Sequence, residues 1–247
     1  MLKFIDSNCM VGRRNICREG SPATVSDLLE IMDRCGIEKA VAFHAFAKEC
    51  DAVEGNMMLD KENESGRFIP QWVVLPDICD RFYEPSELIS KMKENSVTSV
   101  RFFQGLYDHS LKRYVSGELI DALTDCKIPI FLDKSQLTWD ELYELLKEYP
   151  DTRFVLCNTS YRCVVRLWPI LMECPNLYVE TSTLLMHNGI PAFCRDFGAE
   201  RLLFGTGMPN VSATASASLI IYANISDEEK ELVAHGNILR LLEEVSL

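Results

Sequence analysis

Lys3-Phe4-Ile5-Asp6-Ser7-Asn8-Cys9-Met10-Val11-Gly12 begins as a short apolar strand and ends in polar residues and a glycine. Side chains alternate along a strand, so Asp6, Asn8 and Met10 are expected on one face and Ser7 and Cys9 on the other. The same punctuation recurs outward from this stretch. Residues 39–43 (KAVAF) read as a buried strand ending at His44. Further apolar runs follow at 67–75, 99–103, 129–132, 153–156, 176–180 and 201–204. They are continuous Val, Ile, Leu and Phe runs rather than alternating ones, which suits parallel strands buried on both faces.

Helical signals lie between the strands. Thr24 with Asp27, Thr138 with Glu141 and Ser226 with Glu229 each read as a capping box. Leu28, Leu29, Ile31 and Met32 give the first helix its apolar stripe, and Gly36 stops it. Helices are also expected over about 51–64, 85–94, 117–126, 162–173 and 191–197. Pro169 is expected to bend or break the fourth of these. The last helix, after Ser226, carries Leu232, Val233, Ile238, Leu241 and Leu242.

Eight strands, each separated from the next by a helix, predict an α/β fold: a single-domain (β/α)8 TIM barrel over residues 1–247. An open doubly wound sheet would want a glycine-rich phosphate turn after the first strand, and Val11-Gly12-Arg13-Arg14-Asn15 is not one. No linker, repeat or low-complexity segment divides the chain.

Bulk properties narrow the function classes. The 25 Lys and Arg against 37 Asp and Glu leave a net charge of −12, with no basic run, which argues against nucleic-acid or anionic-membrane partners. The longest apolar runs, such as 217–223, are far shorter than a membrane span of about 20 residues. Met1 leads almost directly into the first strand without a signal peptide, so a cytoplasmic location is expected. The 10 cysteines are scattered without a C-x-x-C pair, as expected for reduced thiols packed as small hydrophobes.

Several of these stretches together resemble the amidohydrolase superfamily, in the amidohydrolase-related branch of small-acid decarboxylases and lactonases. There the first strand usually ends I-D-x-H-x-H-x-G; here Ile5-Asp6 leads to Asn8, Met10 and Gly12. Strand five usually ends in His, where this chain has Pro129-Ile130-Phe131-Leu132-Asp133. Strand six usually runs v-l-x-H-x-G, against Val155-Leu156-Cys157-Asn158. Strand eight usually reads R-x-L-F-G-[ST]-D-x-P. Arg201-Leu202-Leu203-Phe204-Gly205-Thr206-Gly207-Met208-Pro209 keeps all but the Asp. The resemblance implies a metal-dependent hydrolase or decarboxylase barrel. The positions it implies for metal ligands hold Asn8, Met10, Asp133, Asn158 and Gly207, and no metal or other cofactor is expected.

The candidate catalytic residues are therefore carboxylates. Asp133, at the end of strand five, is a candidate general base, or else a carboxylate paired with Lys134 or Arg101. Glu180, at the end of strand seven, is a second candidate, or a loop residue with Thr181 and Ser182. Arg101, inside strand four, either holds a substrate carboxylate or pairs internally with Asp6 or Asp133. His44 and Lys134 stand at strand ends and complete a candidate substrate-binding set with Asn8, Met10, Arg101, Asn158, Thr206 and Gly207. Lys134 reads as a solvated loop lysine, with Schiff-base chemistry on a barrel lysine as the alternative. Cys9 and Cys157 are expected to pack outward against helices.

The expected function is an amidohydrolase-like barrel without its metal site: a metal-free small-molecule-binding or inactive homologue. The alternative is a metal-independent hydrolase or lyase acting on a small carboxylate or sugar-derived substrate through Asp133, Glu180 and Arg101. The expected partner is a small-molecule ligand, and a homo-oligomer is compatible with the sequence.

Overall fold

The computed structural model describes residues 2–16, 19–22, 24–77 and 82–247; Cys17 and Cys79 lie outside these residues. Among the described residues, eight strands pair in chain order, each parallel to the next. They are β1 (Phe4–Val11), β2 (Ile37–His44), β3 (Phe68–Val73), β4 (Ser99–Phe102), β5 (Ile130–Asp133), β6 (Phe154–Cys157), β7 (Leu177–Glu180) and β8 (Leu202–Leu203). Ser7 N–H donates to the Phe204 carbonyl at 2.8 Å and Met10 N–H to the Met208 carbonyl at 2.9 Å. These bonds tie the exit of β8 to β1, giving the (β/α)8 TIM barrel that the sequence predicts.

The helices are α1 (Val25–Cys35), α2 (Ala45–Glu49), α3 (Ala52–Glu62), α4 (Pro85–Glu94), α5 (Arg113–Asp125), α6 (Trp139–Glu148), α7 (Val164–Glu173), α8 (Gly189–Phe197), α9 (Ala213–Ile221), α10 (Asp227–Glu231) and α11 (Asn237–Glu243). Both halves of the capping box are made at Thr24, Thr138 and Ser226. Such a cap stabilises a helix by about 1 kcal/mol. Among the described residues, no helix is long and apolar enough to cross a membrane.

Two helices, α2 and α9, lie outside the expected set, and three other elements depart from the expected pattern, each for a local reason. α5 starts four residues before Gly117, which lies inside the helix. A Cβ at Gly117 would sit 2.9 Å from Arg113 Cγ, so the glycine permits close packing rather than marking a helix start. α7 runs unbroken through Pro169. Both Pro169 and Val165 four residues earlier face solvent, so the carbonyl left without its helical partner can be hydrated. The final helix is interrupted by a π-turn at Leu232–Gly236. Within it, the Val233 carbonyl accepts from Phe204 N–H at 2.8 Å, which diverts a helix acceptor to the end of β8.

The barrel interior is a compact cluster of Ile5, Val41, Phe131, Val155, Cys157 and Leu203, joined by Ile238, Leu241 and Leu242 of α11. Helix-facing side chains such as Phe4, Leu156 and Leu202 belong to a second, larger cluster. Cys157 is thus inside the barrel, not packed outward as expected. On β6 it alternates in step with Val155, while Phe154 and Leu156 face the helices. Strict alternation also fails in β1, where the register slips between Asp6 and Cys9. This irregularity lets Ile5 face the interior while Asn8 and Met10 face the barrel mouth, and it turns Asp6 toward the end of β8.

Candidate functional site

In a parallel barrel the chemistry gathers where strands end. Here the C-terminal ends of the strands surround a cleft of about 280 Å³. Asn8, Met10, Asp133, Asn158 and Gly207, from five separate stretches, all line it. Asn158 reaches it because its φ of 57° turns the chain immediately after β6, so it follows the inward-facing Cys157 without alternating to the other face.

Arg101 forms the cationic wall of this cleft. It is 1% exposed. Its guanidinium donates to Asn8 Oδ1 at 3.0 Å and to Cys157 Sγ at 2.8 Å. The guanidinium carbon lies 4.6 Å from the Phe43 ring centroid, 5.7 Å from Phe131 and 5.8 Å from Phe103. Nε has no hydrogen-bond partner. Among the described residues no carboxylate forms an ion pair with Arg101, so neither Asp6 nor Asp133 is the internal partner that the sequence allowed.

Asp133 Oδ1 accepts from Ser135 N–H at 3.0 Å and Ser135 Oγ at 2.7 Å, and Oδ2 accepts from Asn158 Nδ2 at 2.7 Å. Neither Lys134 nor Arg101 pairs with it. These bonds fix the carboxylate while leaving acceptor capacity on both oxygens. Asn8 joins the two sides. Its Nδ2 lies 3.3 Å from both Asn158 Oδ1 and Glu180 Oε1.

Glu180 lies beneath the cleft and is fully buried. Oε1 accepts from Asn158 N–H at 2.7 Å and Ser182 Oγ at 2.8 Å, and Oε2 accepts from Ser182 N–H at 2.6 Å. Burial raises its pKa, and the backbone N–H groups of Asn158 and Ser182 oppose the rise. A Cβ at position 205 would come 2.2 Å from Glu180 Oε2, so Gly205 makes room for this carboxylate. Asp6 is the other buried acid. It accepts from Thr206 N–H at 2.8 Å and Thr206 Oγ1 at 2.5 Å. Burial pushes its pKa up to about 6, against the lowering effect of the Thr206 and Asn8 donors. Thr206 is thereby tied into the wall between β8 and β1 instead of lining the cleft.

His44 and Lys134 also stand away from the cleft. His44 Nδ1 accepts from Phe46 N–H at 3.1 Å, capping α2, while Nε2 points toward Glu62 at 3.4 Å. Its ring occupies the space over Gly12, where a Cβ would come 2.2 Å from Nε2. Lys134 donates to the Leu137 carbonyl at 2.7 Å and lies 4.6 Å from the Trp139 ring centroid.

The lysine that does line the cleft is Lys48, on α2. Its Nζ is 5.1 Å from the Phe103 ring centroid, so Phe103 is shared by the two cations of the site. Burial lowers its pKa; Asp133 opposes that shift and Arg101 adds to it. The sequence reading missed Lys48, although its place just after a barrel strand was an available signal. α2 is mounted from outside the cleft. The Tyr107 hydroxyl donates to the Ala47 carbonyl at 2.6 Å. Gly55 lets α3 approach so closely that a Cβ there would come 2.1 Å from Ala47 N.

The donor set argues against a family-type divalent ion. The five frame positions supply one carboxylate, two carboxamides, a thioether and a glycine. Carboxamides are weak ligands and a thioether prefers soft metals. The Asn8 carboxamide oxygen already accepts from the Arg101 guanidinium. Among the described residues, no group of three or more His, Cys, Asp or Glu side chains is placed to hold a metal. Gly207 has φ of 67°, and a Cβ there would meet Ser182 and Val211 at 3.3 Å, so a side chain at that position is strained.

Known proteins support the same frame. A solved structure of an uncharacterized TIM-barrel protein from Bordetella bronchiseptica is 18% identical, with a TM-score of 0.75 and coverage of 98% of this chain and 99% of that one. The 5-carboxyvanillate decarboxylase of Sphingomonas paucimobilis is 13% identical, with a TM-score of 0.75 and the same coverage. Amidohydrolase 2 from Bifidobacterium longum subsp. infantis is 16% identical, with a TM-score of 0.67 and again 98% and 99% coverage. At these identities the likeness shows the fold alone. No curated protein sequence matches the chain. The amidohydrolase family model matches residues 18–243, which takes in β2 to β8 and all the helices, and the chain belongs to that family.

Proposed function

We propose that the chain is a metal-free member of its family whose barrel mouth binds a small organic anion, with a carboxylate as the natural head group. The observation that carries this reading is Arg101. It is a buried guanidinium at the cleft, backed by three phenyl rings and, among the described residues, without an ion-paired carboxylate. A charge in such surroundings is costly unless something pairs with it. A ligand carboxylate would supply the missing partner through a charge-assisted bond. The cleft of about 280 Å³ limits the ligand to a small molecule.

A second reading, metal-free catalysis on the same class of ligand, is favoured by Asp133. Its oriented carboxylate is on the cleft wall, where it could accept a proton or a hydroxyl hydrogen bond. Glu180, sealed beneath, would tune this network rather than touch the ligand.

The test combines two measurements on the purified protein. Elemental analysis after incubation with zinc and with manganese is expected to find well under one ion per chain. Thermal unfolding is then recorded with a panel of small carboxylates. A ligand at 100 times its Kd stabilises the protein by about 2.7 kcal/mol, which is readily seen as a rise in Tm. Stoichiometric tight metal, or no stabilisation by any small anion, would end this reading.

A further inference from the structure

We infer that Lys48 is a nucleophilic amine that condenses with the ketone carbon of a small 2-oxo acid while Arg101 holds the acid's carboxylate. This inference rests on the anion-binding reading of the cleft and adds a covalent step to it.

Three observations converge. First, Lys48 and Arg101 line the same small cleft and share the Phe103 ring as their apolar support. In a 2-oxo acid the carbonyl carbon adjoins the carboxylate, so a carboxylate held at Arg101 keeps the electrophilic carbon close to the cationic wall. Second, Lys48 makes no hydrogen bond or ion pair among the described residues, and its Nζ rests 5.1 Å from the Phe103 ring centroid. By contrast, Lys134 is occupied by the Leu137 carbonyl and stands outside the cleft. Third, an amine is made nucleophilic by partial desolvation and a neighbouring cation. Burial and Arg101 both favour the neutral amine of Lys48, with Asp133 and Glu49 opposing.

The step balances. Asp133 first takes one ammonium proton, and the freed Nζ lone pair then attacks the ketone carbon as the carbonyl π pair moves to oxygen. Two of the three ammonium protons end on that oxygen, with Asp133 on the same cleft wall as the relay. The oxygen leaves as water and the nitrogen keeps one proton. The sum is ammonium plus ketone giving iminium plus water, without an oxidant, a reductant or a metal. Asn8 and Asn158 line the same cleft as hydrogen-bonding groups.

The experiment is reductive trapping. The full-length protein is incubated with pyruvate and cyanoborohydride, and the adduct is located by intact mass and peptide mapping. One reduced adduct per chain, on Lys48, is the expected result. Trapping should be lost in Lys48→Met and Lys48→Arg and retained in Lys134→Met. Lactate, which binds as a carboxylate but has no ketone, should slow trapping in the wild type. Adducts spread over surface lysines, or trapping that survives Lys48→Met, would overturn the inference.

Calorimetry with pyruvate separates this inference from the reading beneath it. Pyruvate that binds equally to wild type and Lys48→Arg, with no trapped adduct, overturns the covalent step and leaves anion binding standing. Absence of binding by pyruvate, lactate and every other small carboxylate overturns both. Unfolding curves for each variant establish that any loss comes from a folded protein.

Discussion

Replacing Arg101 with Met separates ligand-seeking charge from structural glue. Two effects oppose the change. The variant loses a charge-assisted bond to Asn8, worth about 1.5–3 kcal/mol, together with a weaker donation to the Cys157 sulfur. It also loses cation–π contact with three rings, worth about 2 kcal/mol when desolvated. Against them stands the cost of keeping a guanidinium at 1% exposure without a counter-ion, several kcal/mol even after relaxation. Met is close in length, packs well on aromatic rings, and leaves Asn8 beside a cleft where water can replace the lost donor. The losses, about 3.5–5 kcal/mol together, and the relieved desolvation cost are of the same size, so the variant is expected to be about as stable as wild type. A residual imbalance of about 1 kcal/mol would move Tm by no more than roughly 2–4 °C in a chain of this size. The assay is thermal and urea unfolding in ligand-free, non-carboxylate buffer, run beside carboxylate binding. Arg101→Met should be about as stable as wild type, while binding is lost. A loss of 2 kcal/mol or more would refute the reasoning, because Arg101 would then be holding the barrel together rather than waiting for an anion.

Two other substitutions probe the frame. Gly207→Asp restores the acid of the resembled motif, but at φ 67° and against Ser182 and Val211 it should cost about 1–2 kcal/mol. It should create no tight metal site, since the companion ligands are still missing; stoichiometric zinc in the variant would contradict this. Asp6→Asn tests the buried acid. The folded pKa of about 6 lies above the ordinary value of 3.8, so the folded state binds more protons between these values and stability falls as pH rises from about 4 to 6. Glu180 shifts in the same direction. Urea unfolding from pH 4 to 7 should show a shallower fall in Asp6→Asn than in wild type. Equal slopes would remove Asp6 as a cause.

The barrel was legible because its signals are local. Capping pairs at Thr24, Thr138 and Ser226, and continuous apolar strands, each act over a few residues, and each reappears in the structure. The convergence of Asn8, Met10, Asp133, Asn158 and Gly207 followed from strand ends and motif order. What escaped depends on side-chain direction. Register slippage in β1 decides where Asp6 points, and the left-handed turn at Asn158 places it beside Cys157 on the inner side. Neither follows from period-two alternation. Lysine shows the same division. The turn after β5 folds Lys134 back onto the Leu137 carbonyl, while α2 leaves Lys48 lining the cleft.

The mounting of α2 carries a consequence for how such a site can change. Arg101 is carried by a strand in the wall of the ring, so moving it means moving the barrel. Lys48 rides on a bracket of five residues whose fastenings at His44, Gly55 and Tyr107 all lie behind it. The bracket can be shimmed from the rear, with no substitution inside the cleft. One cation is thus a fixed reference point and the other an adjustable jaw, so substitutions behind α2 would reset the span between the two cations while leaving Arg101 where it is.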